Sequence, residues 1–294
     1  MCKHAIIGAN IMDRLVKCPG SLKLGKGSLA SHDKSKKGYT QNRIENNPAV
    51  EYGLIIDELA KDYYRFKVGE PSKKMYHAKP EHELSKVYSE PAVNYANHIV
   101  KIQKMFKNVL IDPLYDCSHY MKDIPDICEF RVQFNPDFVA MSYFEEGLAF
   151  VSDLSTAYND DRNKMFQVIC CAVGIIEKHP KITGCICEVY NVSTNDIMLK
   201  RLSRDELIAY KEDIILPALD RVRDAVQSED IEEYRHYCSW CDKFCIFKDE
   251  GCKHCKDKDN CIENEVDIQL KFNTKDLDEE TRQKANNLFK NNYK

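Results

Sequence analysis

AlaPheValSerAspLeuSer, residues 149–155, reads as an apolar strand that carries a carboxylate at its end. An acid in that place is costly to bury without a partner. Asp153 therefore either begins the turn toward Tyr158 and Asn159 or belongs to a site that uses its charge.

Upstream of this stretch, Phe130, Val132 and Phe134 alternate with Glu129, Arg131 and Gln133, the two-residue repeat of a half-buried strand. Further strands are predicted near 137–143 and over 148–154. Downstream, Met165, Phe166, Ile169, Val173 and Ile176 follow a helical period over 162–177. ThrGlyCysIleCysGluValTyrAsn, residues 183–191, reads as another strand, and a long helix is predicted over 204–227 with Ser203 as its N-cap.

Toward the N-terminus, Ile11, Leu15 and Cys18 share one helical face, and CysProGly at 18–20 stops that helix. Helical spacing returns from Tyr52 through Ile55, Ile56, Leu59, Tyr63 and Phe66, and again over 91–107. The expected architecture is α/β (α+β). A helical N-terminal part spans 1–110, an α/β core 111–230, a cysteine-rich metal-binding segment 231–265, and a tail 266–294 with a helix near 276–290.

With 294 residues, 43% of them apolar, the chain is long enough for one domain with appendages. No run of 18 apolar residues suggests a membrane span, and no signal-peptide pattern opens the chain, so a soluble cytoplasmic protein without a membrane partner is expected. The formal charge of -4 carries no global nucleic-acid signature. A local cationic groove remains compatible with it, and the Lys-rich stretch 23–43 reads as a basic candidate or a solvated loop.

Fourteen cysteines in a reducing compartment point to metal ligation or buried thiols rather than disulfides. Cys170, Cys171, Cys185 and Cys187 sit in apolar or alternating runs and read as core. Six others, spaced Cys238-x2-Cys241-x3-Cys245-x6-Cys252-x2-Cys255-x5-Cys261, crowd into a polar segment that cannot bury them as ordinary hydrophobes. Two x2-spaced pairs favour metal binding, because two sulfurs so spaced can reach one metal around a tight turn. A zinc site on Cys238, Cys241, Cys252 and Cys255 is one reading. An iron-sulfur cluster on Cys252, Cys255 and Cys261 with a distant fourth ligand, Cys18, is the other; Cys238, Cys241 and Cys245 form a second triplet that could join Cys18 instead.

CysProGlySerLeuLysLeu, residues 18–24, after a short helix resembles the opening of the RecB-like PD-(D/E)XK nucleases, and the stretch 4–261 most resembles their phage-associated branch. Related iron-sulfur exonucleases pair an N-terminal cysteine with C-x2-C-x5-C. The resemblance thus implies a 4Fe-4S cluster on Cys18, Cys252, Cys255 and Cys261 that clasps the ends of a restriction-endonuclease-like core. It aligns GlyLeuIleIleAspGluLeuAla, residues 53–60, with a Gly-x3-His helix motif, so that Asp57 stands at the histidine, either as a further Mg²⁺ or Mn²⁺ ligand or as a polar residue on the exposed side of an amphipathic helix. It also places the metal-binding carboxylates at Asp137 and Asp153, with Glu129 assisting, and the helix glutamine at Gln167. Such carboxylates hold Mg²⁺ or Mn²⁺, which activates water for phosphodiester hydrolysis.

Three departures stand out: Ser155 at the motif lysine, Asp57 at the histidine, and no glycine before Asp137. Lys164, one helical turn before Gln167, is placed to supply the missing charge from the helix. The implied activity is a metal-dependent DNA exonuclease or end-processing nuclease of phage-type recombination or replication, acting on DNA ends or single strands. Trp240 and Phe244 would stack on bases or pack around the metal. The alternatives are a catalytically silent nuclease fold that binds DNA or a helicase or recombination partner, and a zinc-containing interaction protein.

Overall fold

The computed structural model describes residues 7–22, 48–72, 84–106, 108–121, 131–142, 147–156, 162–228 and 232–234. In chain order its elements are β1 (Ile7–Gly8), α1 (Ala9–Lys17), α2 (Pro48–Val68), α3 (Leu84–Phe106), β2 (Asn108–Ile111), β3 (Tyr115–Asp116), β4 (Val132–Phe134), β5 (Phe138–Ser142), β6 (Leu148–Ser155), α4 (Arg162–Lys178), β7 (Gly184–Asn191), β8 (Asp196–Ser203), α5 (Arg204–Tyr210) and α6 (Leu216–Gln227). The fold is mixed α/β with two mixed sheets.

The larger sheet runs β2-β5-β6-β7-β8. β5 is antiparallel to β2 and β6, β7 is parallel to β6, and β8 is antiparallel to β7. Helix α4 makes the crossover that the parallel β6–β7 step requires. Every residue of β6 from Ala149 to Ser155 is buried, because helices cover both faces of the strand. Ala149 and Val151 pack in the cluster that holds Met12 and Leu15 of α1 and Phe166, Ile169 and Val173 of α4. On the opposite face, Phe138, Leu154 and Tyr190 pack against Ile56 and Tyr64 of α2 and Tyr95 and Ile99 of α3. By alternation, Asp153 projects to the α4 side and Ser152 to the α3 side.

Several elements match the sequence reading: α4, β6, β7, and the capping box at Ser203, whose hydroxyl accepts the Glu206 N–H while the Glu206 carboxylate accepts the Ser203 N–H. Cys170, Cys171, Cys185 and Cys187 are fully buried, as expected of small hydrophobes in a core.

Other elements differ, for physical reasons. The strand expected from Phe130 to Phe134 is shorter and leaves the main sheet: β4 pairs with β1 and β3 instead. Asn135–Pro136 separates it from β5, and a proline lacks the N–H that a continuous ladder needs. β2 follows directly on the helix read over 91–107, across the boundary expected between the helical part and the core, and becomes an edge of the core sheet. β8 was not predicted; its half-exposed Met198, Leu199 and Lys200 and exposed Arg201 give an edge strand with no clear alternation. The long helix expected over 204–227 is interrupted by a π-helical turn at Lys211–Ile215. Pro217, in the first turn of α6, cannot donate to a carbonyl four residues back, and the wider turn accommodates this.

Among the described residues, no helix is long and apolar enough to cross a membrane.

Candidate active site

Because β5 and β6 are antiparallel with Phe138 opposite Ser152, the start of one strand meets the end of the other, which brings Asp137 beside Asp153. The backbone N–H of Leu154 donates to Asp137 Oδ2 at 2.8 Å, so strand β6 itself fixes that carboxylate. From α4, the Gln167 amide donates to Asp153 Oδ2 at 2.7 Å and Lys164 Nζ lies 3.0 Å from Asp153 Oδ1. The i, i+3 spacing of Lys164 and Gln167 puts both on the helix face that overlooks the strand ends.

From the other side of the sheet comes a group that the sequence reading did not include. Lys61 of α2 places Nζ 2.5 Å from Asp57 Oδ2, 2.5 Å from Asp112 Oδ1 and 3.2 Å from Asp137 Oδ1. Asp57 was weighed as a solvent-facing residue of an amphipathic helix; its side chain is only 22% exposed and turns toward this cluster. Asp112, just after β2, takes a left-handed φ of 49° and donates its N–H to the Asp137 carbonyl at 3.0 Å. Aspartate is among the few residues other than glycine that visit this region readily. The sequence carries only generic marks of either residue: Lys61 stands four residues after Asp57, the spacing of any helix-surface ion pair, and Asp112–Pro113 is an ordinary turn dipeptide.

The electrostatics follow from crowding four carboxylates around two ammonium groups. Burial, then the neighbouring Asp137, raises the Asp153 carboxyl well above its ordinary value. Burial also works against ionised Asp137, but Lys61 and a hydrogen bond with Asp153 outweigh it and hold that group below the usual range. The two adjacent carboxyls are thus pushed in opposite directions, Asp153 toward its neutral form and Asp137 toward its ionised form. Asp57 is pushed up to about 7 by burial first and by Asp137 second. For Lys61, burial favours the neutral amine, yet Asp137 and Asp57 outweigh it and raise its pKa. Lys164 is raised in the same way: burial opposes, and Asp153 and Asp137 prevail.

The donor set suits a hard cation. Mg²⁺ is commonly held by one or two carboxylates with water completing the shell, and Asp137 and Asp153 offer two. In addition, Asp57 Oδ1 is buried with no hydrogen-bond partner among the described residues. No group of three or more His, Cys, Asp or Glu among the described residues is arranged to hold a metal by itself. The reason lies in the geometry above, since Asp57, Asp112 and Asp137 converge on an ammonium.

Of the other sequence-predicted residues, Glu129, Cys238, Cys241, Cys245, Cys252, Cys255 and Cys261 lie outside the described residues, as do Trp240 and Phe244. Cys18 is described: it is 6% exposed and follows α1, with its N–H donating to the Arg14 carbonyl. The adjoining turn Pro19–Leu22 packs against Glu232–Tyr234, four residues before the first cysteine of the array. Arg221 of α6 donates to the Val16 carbonyl at 2.9 Å, joining the two ends of the described chain.

No family model and no curated protein matches the chain. Among solved structures, the crystal structure of SSO0001 is similar over 84% of this chain and 86% of its own, with 12% sequence identity and a TM-score of 0.32. A likeness of that strength carries no argument, and the chemistry of the site has to be read from its own residues.

Proposed function

We propose that the protein is a metal-dependent DNA exonuclease or end-processing nuclease with a restriction-endonuclease-like core, serving phage-type recombination or replication. One observation carries the reading: Asp137, Asp153, Gln167 and Lys164 converge on a single strand-strand-helix unit, β5–β6–α4. That is the order in which PD-(D/E)XK nucleases carry their site, and DNA as substrate rests on the same resemblance.

When bound, Mg²⁺ or Mn²⁺ would polarise the scissile phosphate and lower the pKa of the attacking water. Asp137 and Asp153 would hold it. The Leu154 N–H keeps Asp137 in register, and Gln167 orients Asp153 and offers its amide carbonyl to water or substrate. Lys164 supplies the positive charge that Ser155 cannot, facing the negative charge that develops as the phosphoester breaks.

Ser155 at the lysine position favours a second reading, a catalytically silent nuclease fold that binds DNA or a helicase-like partner. End-labelled single- and double-stranded DNA, incubated with full-length protein in Mn²⁺ or in EDTA, separates the two. Shortened products in Mn²⁺ alone are expected; retention of intact DNA in both conditions, with binding, would favour the silent fold.

We also propose a 4Fe-4S cluster on Cys18, Cys252, Cys255 and Cys261, with zinc on Cys238, Cys241, Cys252 and Cys255 as the alternative. The neighbourhood of Cys18 and residues 232–234 supports a clasp between the chain's two ends. Anaerobic preparations should carry iron and acid-labile sulfide; zinc without iron would contradict the cluster.

A further inference from the structure

We propose that Lys61 is a built-in substitute for a second divalent cation, so that the centre takes one Mg²⁺ or Mn²⁺ ion, at Asp137 and Asp153, and no second one. This rests on the metal-dependent reading above and specifies its cation chemistry.

Lys61 Nζ carries three N–H donors and meets three carboxylates, Asp57 and Asp112 at 2.5 Å and Asp137 at 3.2 Å, so every donor has an acceptor. The lysine side chain is 9% exposed. Burying an ammonium is expensive unless it is fully paired, and these three acceptors come from three separate parts of the chain. Asp57 lies on α2, Asp112 follows β2 in a left-handed conformation, and Asp137 precedes β5. Three acceptors drawn from such distant segments hold the 9% exposed ammonium as a bound cation, unlike a helix-surface i, i+4 pair, with Asp112, 44% exposed, the most open of the three.

Asp137 is shared between this cage and Asp153. Its Oδ1 faces Lys61, while Oδ2 accepts from the Leu154 N–H, next to Asp153 on β6. Two-metal phosphodiesterases use a carboxylate in this bridging position, with cations on both sides. Here the cation on one side is covalently attached. The ammonium groups of Lys61 and Lys164 already stand beside the Asp137–Asp153 pair, one against each carboxyl. A fixed ammonium also cannot be removed by chelators or exchanged, which leaves a single exchangeable ion to control activity.

Mn²⁺ titration of the full-length protein, read by electron paramagnetic resonance, tests this. Wild type should bind one Mn²⁺ at the centre, with an uncoupled spectrum. Lys61→Ala, prepared in Mn²⁺ to neutralise the exposed carboxylates, should bind two and show spin coupling between them, and adding Asp112→Asn should return it to one. Lys61→Met, which keeps the aliphatic stem, is carried alongside against failure to fold. Two coupled ions in wild type would overturn the proposal, as would one ion in both lysine variants. No Mn²⁺ bound by wild type, with Asp153→Asn indistinguishable from it, would instead overturn the metal-dependent reading on which the proposal stands.

Discussion

Asp153→Asn is expected to lower Mn²⁺-dependent DNA cleavage by at least about a hundredfold, the scale on which loss of one transition-state-stabilising group is felt, while leaving the protein as stable as wild type or more so at pH 8. The two halves have one cause. Asp153 is 3% exposed, and burial together with Asp137 raises its pKa, so its ionised form is held at a cost to folding. The folded carboxyl binds its proton more tightly than the unfolded one. That stabilisation is complete below the unfolded value of 3.8 and is lost as pH rises through the folded value. Asparagine has no charge to bury, so the variant's stability relative to wild type should grow from pH 5 to pH 8. Loss of the ion pair with Lys164 opposes this only in part, because Lys164 is 26% exposed and can turn to water. Cleavage rates and urea midpoints at the two pH values check both halves. Cleavage within about threefold of wild type would remove Asp153 from the centre.

Glu188→Ala is expected to cost about 2–5 kcal/mol of folding stability, the scale of truncating a buried side chain and breaking a buried hydrogen-bond network. Glu188 is fully buried on β7, opposite Ser152. It accepts from Ser152 Oγ at 2.6 Å, and His98 Nε2 of α3 lies 2.7 Å from its other oxygen. Ser152 and the Tyr95 hydroxyl, 2.9 Å apart, complete the network. Truncation would remove the carboxylate that Ser152 Oγ and His98 Nε2 share and leave a cavity against α3. A domain of this kind has roughly 5–15 kcal/mol in total, so the loss would be a large fraction of its stability. Glu188→Gln, which keeps the volume and one acceptor, should fall between the two. Urea unfolding monitored by circular dichroism reads the series; a loss below about 1 kcal/mol for the alanine variant would show that the network contributes little. The network lies on the α3 side of β6 and Asp153 projects from the next residue on the α4 side, so the strand that carries the site is anchored from behind.

What could be read from the sequence was whatever depends on local period. The apolar run to Asp153 marked β6, and the spacing of Met165, Phe166 and Ile169 placed Gln167 and Lys164 on one helix face. The Lys61 cage was not legible in the same way. Its contacts join residues 51 and 76 positions apart, and nothing in the period of α2 distinguishes Lys61 from a solvated helix lysine. The edge strands β2 and β8 escaped for a different reason: half-exposed strands need not alternate cleanly, and their identity comes from the neighbour they pair with. Asp57 shows how a local reading misleads, since its side chain is partly buried beside Lys61, whose other partners, Asp112 and Asp137, lie far along the chain.

The most direct measurement is the anomalous difference map of a crystal of wild-type protein soaked in Mn²⁺. The expected result is one manganese peak within about 2.5 Å of a carboxylate oxygen of both Asp137 and Asp153, with Lys164 and Gln167 still beside Asp153. A Mn²⁺-soaked crystal with no peak between those two carboxylates would contradict the assignment of this cluster as a metal-dependent catalytic centre.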